Sequence, residues 1–236
     1  MVQPNVEESQ NHLERLTIFA GLPQEALERI RKRCRWRRYE PGEPIVDYLD
    51  TSDDVFFITS GEVRVTIYSL AGKAVSFRDL GPGNVFGEYP VINGGPRSAS
   101  VEARTSSLLA SMPAAAFREL LQAEPAVALA LLKQFVMTIR SLTMRVYEFS
   151  TLAVNNRIQA EVLRLANLVP REGKSVGIAP APTHVEIANR ISTHREAVTR
   201  ELNRLSRIGI IERRGGELLV RDIDRLATLV HEATGE

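Results

Sequence analysis

Cysteine is almost missing: Cys34 is the single thiol in 236 residues. One thiol can close no internal disulfide and cannot supply the four thiolates of an iron–sulfur cluster, so oxygen sensing through such a cluster is excluded. Histidine is nearly as scarce. His12, His184, His194 and His231 fall at no spacing that suits a metal site, and the gap between residues 13 and 183 argues against haem ligation in that stretch. Consecutive apolar runs stay short of the roughly 18 residues a bilayer span needs, and the N-terminus lacks a charged start followed by an apolar stretch. A cytoplasmic protein with no membrane partner is expected. No Ser/His/Asp or Cys/His set suggests an enzyme, and neither repeats nor low-complexity tracts occur.

What is present is an apolar fraction of 44%, enough for ordinary cores, in a chain longer than one typical domain. Two compact units sharing a long element are expected. The net charge of +1 hides local contrasts: residues 29–38 hold seven basic side chains and no acid, which suits a solvated face or an anionic contact.

Residues 54–112 read as strands separated by turns. "EVRVTIYS" sets Val63, Val65 and Ile67 on one face and Arg64, Thr66 and Tyr68 on the other, the period of a half-buried sheet. Ala71-Gly72 supplies a hairpin turn, "VFFIT" is a more buried strand, and "SASVEARTSSLLASM" alternates before Pro113 opens a helix. Many short strands with glycine-rich turns point to a sandwich or barrel. Within it, "FGEYPVINGGPRSAS" places one carboxylate, Glu88, and one guanidinium, Arg97, nine residues apart among apolar and turn-forming residues. Such a pair can hold a ligand's hydroxyl and its anion together; alternatively the two pair with one another. The nearby "GPGNVFG" does not fit a dinucleotide fingerprint, because its third glycine comes four residues after the second and no crossover helix follows.

After Pro125 the pattern becomes helical. Leu132, Phe135, Ile139, Leu142, Val146 and Phe149 are spaced 3, 4, 3, 4, 3, a heptad seam of apolar knobs. The seam predicts a second copy of the helix and hence a parallel homodimer, the alternative being a helix packed on its own domain. A second helical stretch, "NNRIQAEVLRLANL", leads into "VPREGKSVGIAPAP", whose prolines and glycines predict a loop.

The C-terminal part reads as a DNA-binding domain. Thr183 with Glu186 forms a capping box, Ser192-Thr193 makes a turn, and Thr193 with Glu196 is expected to repeat the box. Ile187, Ile191, Val198, Leu202 and Leu205 can pack the two helices, leaving Arg195, Glu196, Thr199 and Arg200 outward. The start of a second helix is where side chains reach base edges in the major groove. Arg donates twice to guanine and Glu accepts from cytosine. "IIERRGGELLV" follows as a hairpin with a Gly215-Gly216 turn, the wing. Residues 183–221 hold eight arginines against five glutamates, a surplus that suits phosphates.

"FGE" followed by "PRSAS", the heptad helix and "STHREAVTREL", in this order, resemble the bacterial cyclic AMP receptor protein (CRP/FNR) family of transcription regulators over nearly the whole chain. The resemblance implies an α+β fold: a jelly-roll-like cyclic-nucleotide-binding β-barrel over residues 1–124, a long coiled-coil dimerisation helix and hinge over 125–153, and a winged helix-turn-helix over 154–236. It further implies that Glu88 accepts from the ribose 2′-hydroxyl, Gly87 permits close backbone approach, and Arg97 and Ser98 hold the cyclic phosphate. Pro90 stands where relatives offer a backbone amide to that phosphate; proline has none, which implies a loss of about 1–3 kcal/mol if nothing replaces it. On the long helix relatives present hydroxyls to the purine, at positions held here by Leu142 and Thr143. Cyclic AMP is the expected effector and cyclic GMP stays open, with no metal, haem or iron–sulfur cluster. Arg195, Glu196 and Arg200 match the family's base-reading set, implying inverted repeats of TGTGA-like half-sites, with Thr183 and a pH-sensitive His184 at the DNA backbone. The resemblance also implies a hinge at Leu152-Ala153-Val154 and recruitment of RNA polymerase, with "REGKSVGIA" as the corresponding loop. Rival readings are a regulator of the same fold with another effector or none, and a cyclic-nucleotide-binding signalling module.

Overall fold

The computed structural model describes residues 13–68, 74–171 and 173–234. The expected Ala71-Gly72 turn lies outside the described residues. The chain divides into two compact units, one ending at Thr138 and the other beginning at Ile139.

The first unit opens with two short 3₁₀ turns and helix α1 (Gln24–Arg33), then runs through β1 (Arg35–Tyr39), β2 (Pro44–Val46), β3 (Val55–Ser60), β4 (Val63–Tyr68), β5 (Ala74–Leu80) and β6 (Val85–Phe86). Helix α2 (Tyr89–Asn93), β7 (Ser100–Ala103), β8 (Ser107–Met112), α3 (Ala114–Ala123) and the start of α4 (Pro125–Thr151) complete it. Among the described residues, eight strands form two four-stranded sheets of order β1-β8-β3-β6 and β2-β7-β4-β5. That alternation of strands between two sheets is a jelly roll.

Strand β3 shows why "VFFIT" is apolar throughout. Val55 and Phe57 join a core with Leu16, Phe19, Phe117 and Val127 from the flanking turns and helices. Phe56 and Ile58, pointing the other way, join a second core with Val63, Phe86, Val101 and Leu109 between the sheets. The β4 alternation holds only in part. Val63 is fully buried, but Thr66 on the opposite face is buried too and Ile67 is exposed, next to the point where pairing with β5 slips by a residue.

The basic stretch 29–38 is largely neutralised within the unit. Arg29, Arg31, Arg33 and Arg37 pair with Glu124, Glu28, Glu119 and Glu43. A solvated, internally compensated face is what forms here.

Helix α4 runs unbroken through the heptad stretch, and its sides differ. Val127 and Leu131 are buried in the first unit's core and Phe135 packs against it, whereas Leu132, Ile139, Leu142, Val146 and Phe149 are exposed. Short apolar runs are therefore an incomplete guide. Taken with its few charges, α4 is by length and composition the one helix among the described residues apolar enough to cross a bilayer.

In the second unit α4 breaks at Leu152-Ala153 before α5 (Val154–Ala166). Arg164 of α5 clamps both oxygens of Glu148 on α4, at 2.7 and 2.9 Å. The buried Glu161 sits among the guanidiniums of Arg145, Arg164 and Arg190. A buried carboxylate needs such partners, since an isolated one would be strongly penalised. Next come β9 (Val176–Ile178), α6 (His184–Arg190), α7 (Arg195–Arg207), β10 (Ile211–Arg214), β11 (Glu217–Val220) and α8 (Ile223–Thr234). The strands form one sheet of order β10-β11-β9. The loop expected over "VPREGKSVGIAPAP" thus contains a strand: Val176 and Ile178 point into the core, and Gly177 leaves room for Glu217, whose carboxylate a Cβ would strike.

Candidate functional site

Strand β6 ends at Phe86, and Gly87 then turns the chain with φ +82°. A Cβ at Gly87 would lie 2.7 Å from Arg97 Nη1 and 2.8 Å from the Asp54 carbonyl oxygen. Glycine is therefore required twice, by its left-handed backbone and by close approach. Glu88 precedes α2, where Pro90 occupies the first turn that tolerates a missing N–H, and Gly94, in the left-handed region, ends it.

Arg97 is buried, with 2% of its surface exposed. Its Nε–H donates to Ser52 Oγ at 3.1 Å, Nη1–H to the Gly87 carbonyl at 3.0 Å and Nη2–H to the Asp54 carbonyl at 2.9 Å. The guanidinium lies 5.7 Å from the centre of the Phe56 ring, which itself stacks on Phe86. Burial lowers its pKa, opposed by the carboxylates of Asp50, Asp54, Asp53 and Glu88. A guanidinium carries five N–H donors; with three engaged, two remain.

Glu88 and Arg97 form no ion pair, so the alternative in which they simply neutralise each other is not what the fold builds. Burial pushes the Glu88 carboxyl above its ordinary range, while its own backbone N–H and the guanidiniums of Arg78 and Arg97 pull it back. Ser98 is exposed beside this pair. The arrangement is a buried cation with donors to spare, a desolvated acceptor and a backbone stripped of side chain where Arg97 and the Asp54 carbonyl pack against it. It can take a small anion that also carries hydroxyls. Leu142 and Thr143 belong to the second unit, where both are exposed and the Thr143 hydroxyl donates back to the Ile139 carbonyl at 2.9 Å.

In that unit Thr183 caps α6 with the full reciprocal box to Glu186. Ile187, Ile191, Val198, Leu202 and Leu205 are all buried between and beneath the two helices. The second box does not form. Ser192 adopts φ +53° and the Thr193 N–H bonds the Ala188 carbonyl, so the chain enters α7 one residue late and His194, with no side-chain cap bond, becomes the N-cap. Arg195, Glu196 and Arg200 are exposed and their side chains make no hydrogen bond or ion pair among the described residues. At about 100° per residue, positions 195, 196, 199 and 200 span roughly 140° of the helix, one face. Thr199 is half-buried: its hydroxyl donates to the Arg195 carbonyl at 3.0 Å and stands 2.7 Å from His184 Nδ1. Burial, then Arg213 and Arg195, lower the His184 pKa. Both wing glycines have positive φ, +55° and +88°, as a two-residue hairpin turn requires.

Comparison with known families matches residues 36–124 to the cyclic nucleotide-binding domain and residues 157–229 to the Crp-like helix-turn-helix domain. The chain belongs to the CRP/FNR family of transcription regulators. Among its CRP/FNR relatives, the CRP-like cAMP-activated global transcriptional regulator of Mycobacterium tuberculosis is 26% identical over 91% of this chain and 96% of its own. The cyclic AMP receptor protein of Thermus thermophilus is 28% identical over 87% and 92%. A crystal structure of a CRP/FNR-family transcriptional regulator from Thermus thermophilus superposes with a TM-score of 0.66 at 27% identity, covering 84% of this chain and 98% of the other. The family is not one of enzymes, and its helix-turn-helix implies DNA binding.

Sequence reasoning missed three neighbours of Arg97: Asp50, Ser52 and Asp54, in "DTSDD". They precede it by 43 to 47 residues, and only the density of short acidic and hydroxyl side chains marks the segment.

Proposed function

We propose that this CRP/FNR protein is a cyclic-nucleotide-responsive, sequence-specific DNA-binding regulator that acts in the cytoplasm as a homodimer on inverted repeats with TGTGA-like half-sites. The buried Arg97, with two N–H donors uncommitted beside an unpaired Glu88, is the observation that carries it. Arg97 and Ser98 bind the cyclic phosphate, Glu88 takes the ribose hydroxyl, and Gly87 clears the approach. Cyclic AMP is the first effector to test, since it activates the Mycobacterium tuberculosis relative by that protein's name. Cyclic GMP is the second, because Leu142 offers the purine no hydroxyl where Thr143 does.

The exposed seam of Leu132, Ile139, Leu142, Val146 and Phe149 supports a parallel pairing of two α4 helices. A bilayer explains the helix less well: Lys133 and Arg140 stand exposed on its other side, and each would cost about 2.5–3.5 kcal/mol at a membrane centre. Residues 1–124 sense, 125–153 pair and hinge, and 154–236 read DNA, with Arg195, Glu196 and Arg200 at base edges, Thr199 on the same helix face, and Thr183 and His184 beside the backbone. The ligand favours one arrangement of the DNA-reading domains only through its differential affinity for the two states. RNA polymerase is the further partner, met through the segment 171–179.

A second reading, the same fold answering another effector or none, has one observation in its favour. Arg97 already spends three donors on its own protein among Asp50, Asp53 and Asp54, and Pro90 withholds an amide. Calorimetric titration with cyclic AMP and cyclic GMP separates the two. The effector reading expects binding that Arg97→Ala abolishes without changing the mass seen by light scattering; equal affinity in the variant discards the pocket.

A further inference from the structure

Besides the Gly87 carbonyl, Arg97 is held in place by one segment, residues 49–54, exposed as far as Asp53. The Leu49 N–H donates to the Arg97 carbonyl at 3.1 Å and the Arg97 N–H to the Asp50 carbonyl at 3.0 Å. Beyond this backbone pair, Ser52 N–H donates to Asp50 Oδ1 at 3.1 Å and Ser52 Oγ–H to Asp50 Oδ2 at 2.9 Å. A hydroxyl has one proton. Because the Asp50 carboxylate takes it, the oxygen turns its lone pairs to the Arg97 Nε–H, 3.1 Å away. The same Ser52 bonds, the backbone one first, hold the Asp50 carboxyl below its usual range, so the acceptor that orients the hydroxyl stays ionised at neutral pH.

The geometry of a planar fork makes this bond decisive. The Gly87 and Asp54 carbonyls fix Nη1 and Nη2, two points that leave the guanidinium free to tilt about the line joining them. Nε lies off that line. A third anchor there fixes the plane, and with it the directions of the two remaining N–H groups. We propose that Ser52, oriented by Asp50, is a positioning residue for anion capture by Arg97 in the effector pocket. The inference rests on the pocket reading given above. Neither residue fills a core, since both are exposed.

The test is calorimetric titration of the full-length protein with cyclic AMP. Ser52→Ala should weaken binding about tenfold, equivalent to about 1.4 kcal/mol, while Ser52→Thr, which keeps the hydroxyl, should stay within about twofold of the parent. Asp50→Ala should weaken binding as well, and the Ser52→Ala/Asp50→Ala double variant should lose no more than Ser52→Ala alone, because the two act in series. Ser52→Ala should keep one cooperative thermal transition followed through Trp36, lowered by no more than the loss of a single hydrogen bond to a charged donor, and Ser52→Thr should restore it, which sets a positioning role apart from a loss of fold. Unchanged affinity in Ser52→Ala, a loss that Ser52→Thr does not restore, or losses that multiply in the double variant would each overturn the proposal. An Arg97→Ala variant that loses binding while Ser52→Ala keeps it removes only the role of Ser52. A parent protein that takes up no cyclic mononucleotide removes the pocket and this inference together.

Discussion

Replacing Gly87 by Ala probes the pocket through its backbone, and Gly42 supplies the control. Both glycines sit in the left-handed region, at φ +82° and +83°. A Cβ on Gly42 would meet nothing within 4 Å, so Gly42→Ala carries only the conformational term, about 1–2 kcal/mol. A Cβ on Gly87 would press on Arg97 Nη1 at 2.7 Å, the Asp54 carbonyl at 2.8 Å and the Phe56 ring at 3.3 Å. The backbone oxygen cannot swing away as a flexible side chain could, so at least one bond of the buried guanidinium must break. A hydrogen bond to a charged donor contributes about 1.5–3 kcal/mol. Gly87→Ala should therefore destabilise the first unit by about 2.5–5 kcal/mol, against about 1–2 for Gly42→Ala, and should also abolish nucleotide binding, which Gly42→Ala keeps. Urea unfolding followed by the fluorescence of Trp36, the single tryptophan, isolates the unit, because its ring packs on the first core. Equal destabilisation by the two substitutions would refute the argument from close approach.

Arg200→Ala should cost about 1–3 kcal/mol on a cognate duplex and relax preference at one base pair in a binding-site selection; an equal loss on every sequence would make Arg200 a phosphate contact. Ile139→Asp with Val146→Asp should give monomers by light scattering. Phe135 is a poorer choice, because it also packs against its own unit's core and meets Tyr89 edge-on at 6.3 Å. Glu88→Gln should raise the Trp36-detected midpoint at pH 7. Between the ordinary value of 4.5 and the raised native value, the folded state binds more protons than the unfolded, so the contribution of Glu88 to stability falls as pH rises. The advantage of the glutamine variant should fade as pH drops below 4.5, and an advantage constant with pH would show that Glu88 is not strained by burial.

Where local pattern and tertiary burial agree, the chain is readable. The helicity of α4, the Thr183–Glu186 box and the apolar "VFFIT" strand each depend on residues a few positions apart, and each of these local elements forms. Three features escape for the same reason: their causes are distant or conformational. The expected cap at Thr193 fails because Ser192 turns left-handed, which no residue type there dictates. Val176–Ile178 is a strand only because β11 lies beside it, and in isolation its setting of glycines and prolines reads as loop. Glu88 and Arg97 stand out in the sequence as an acid and a base in an apolar segment. That they avoid each other, and that Ser52 and Asp54 hold the base instead, is a property of the folded barrel.

Coupling between the two units is the central claim, and DNA affinity reads it most directly. Fluorescence anisotropy on a duplex bearing inverted TGTGA-like half-sites should show tighter binding when cyclic AMP or cyclic GMP is added, with no response in Arg97→Ala. By linkage, DNA should tighten nucleotide binding by the same factor. Anisotropy curves of the parent protein that superimpose with and without either nucleotide would contradict the account.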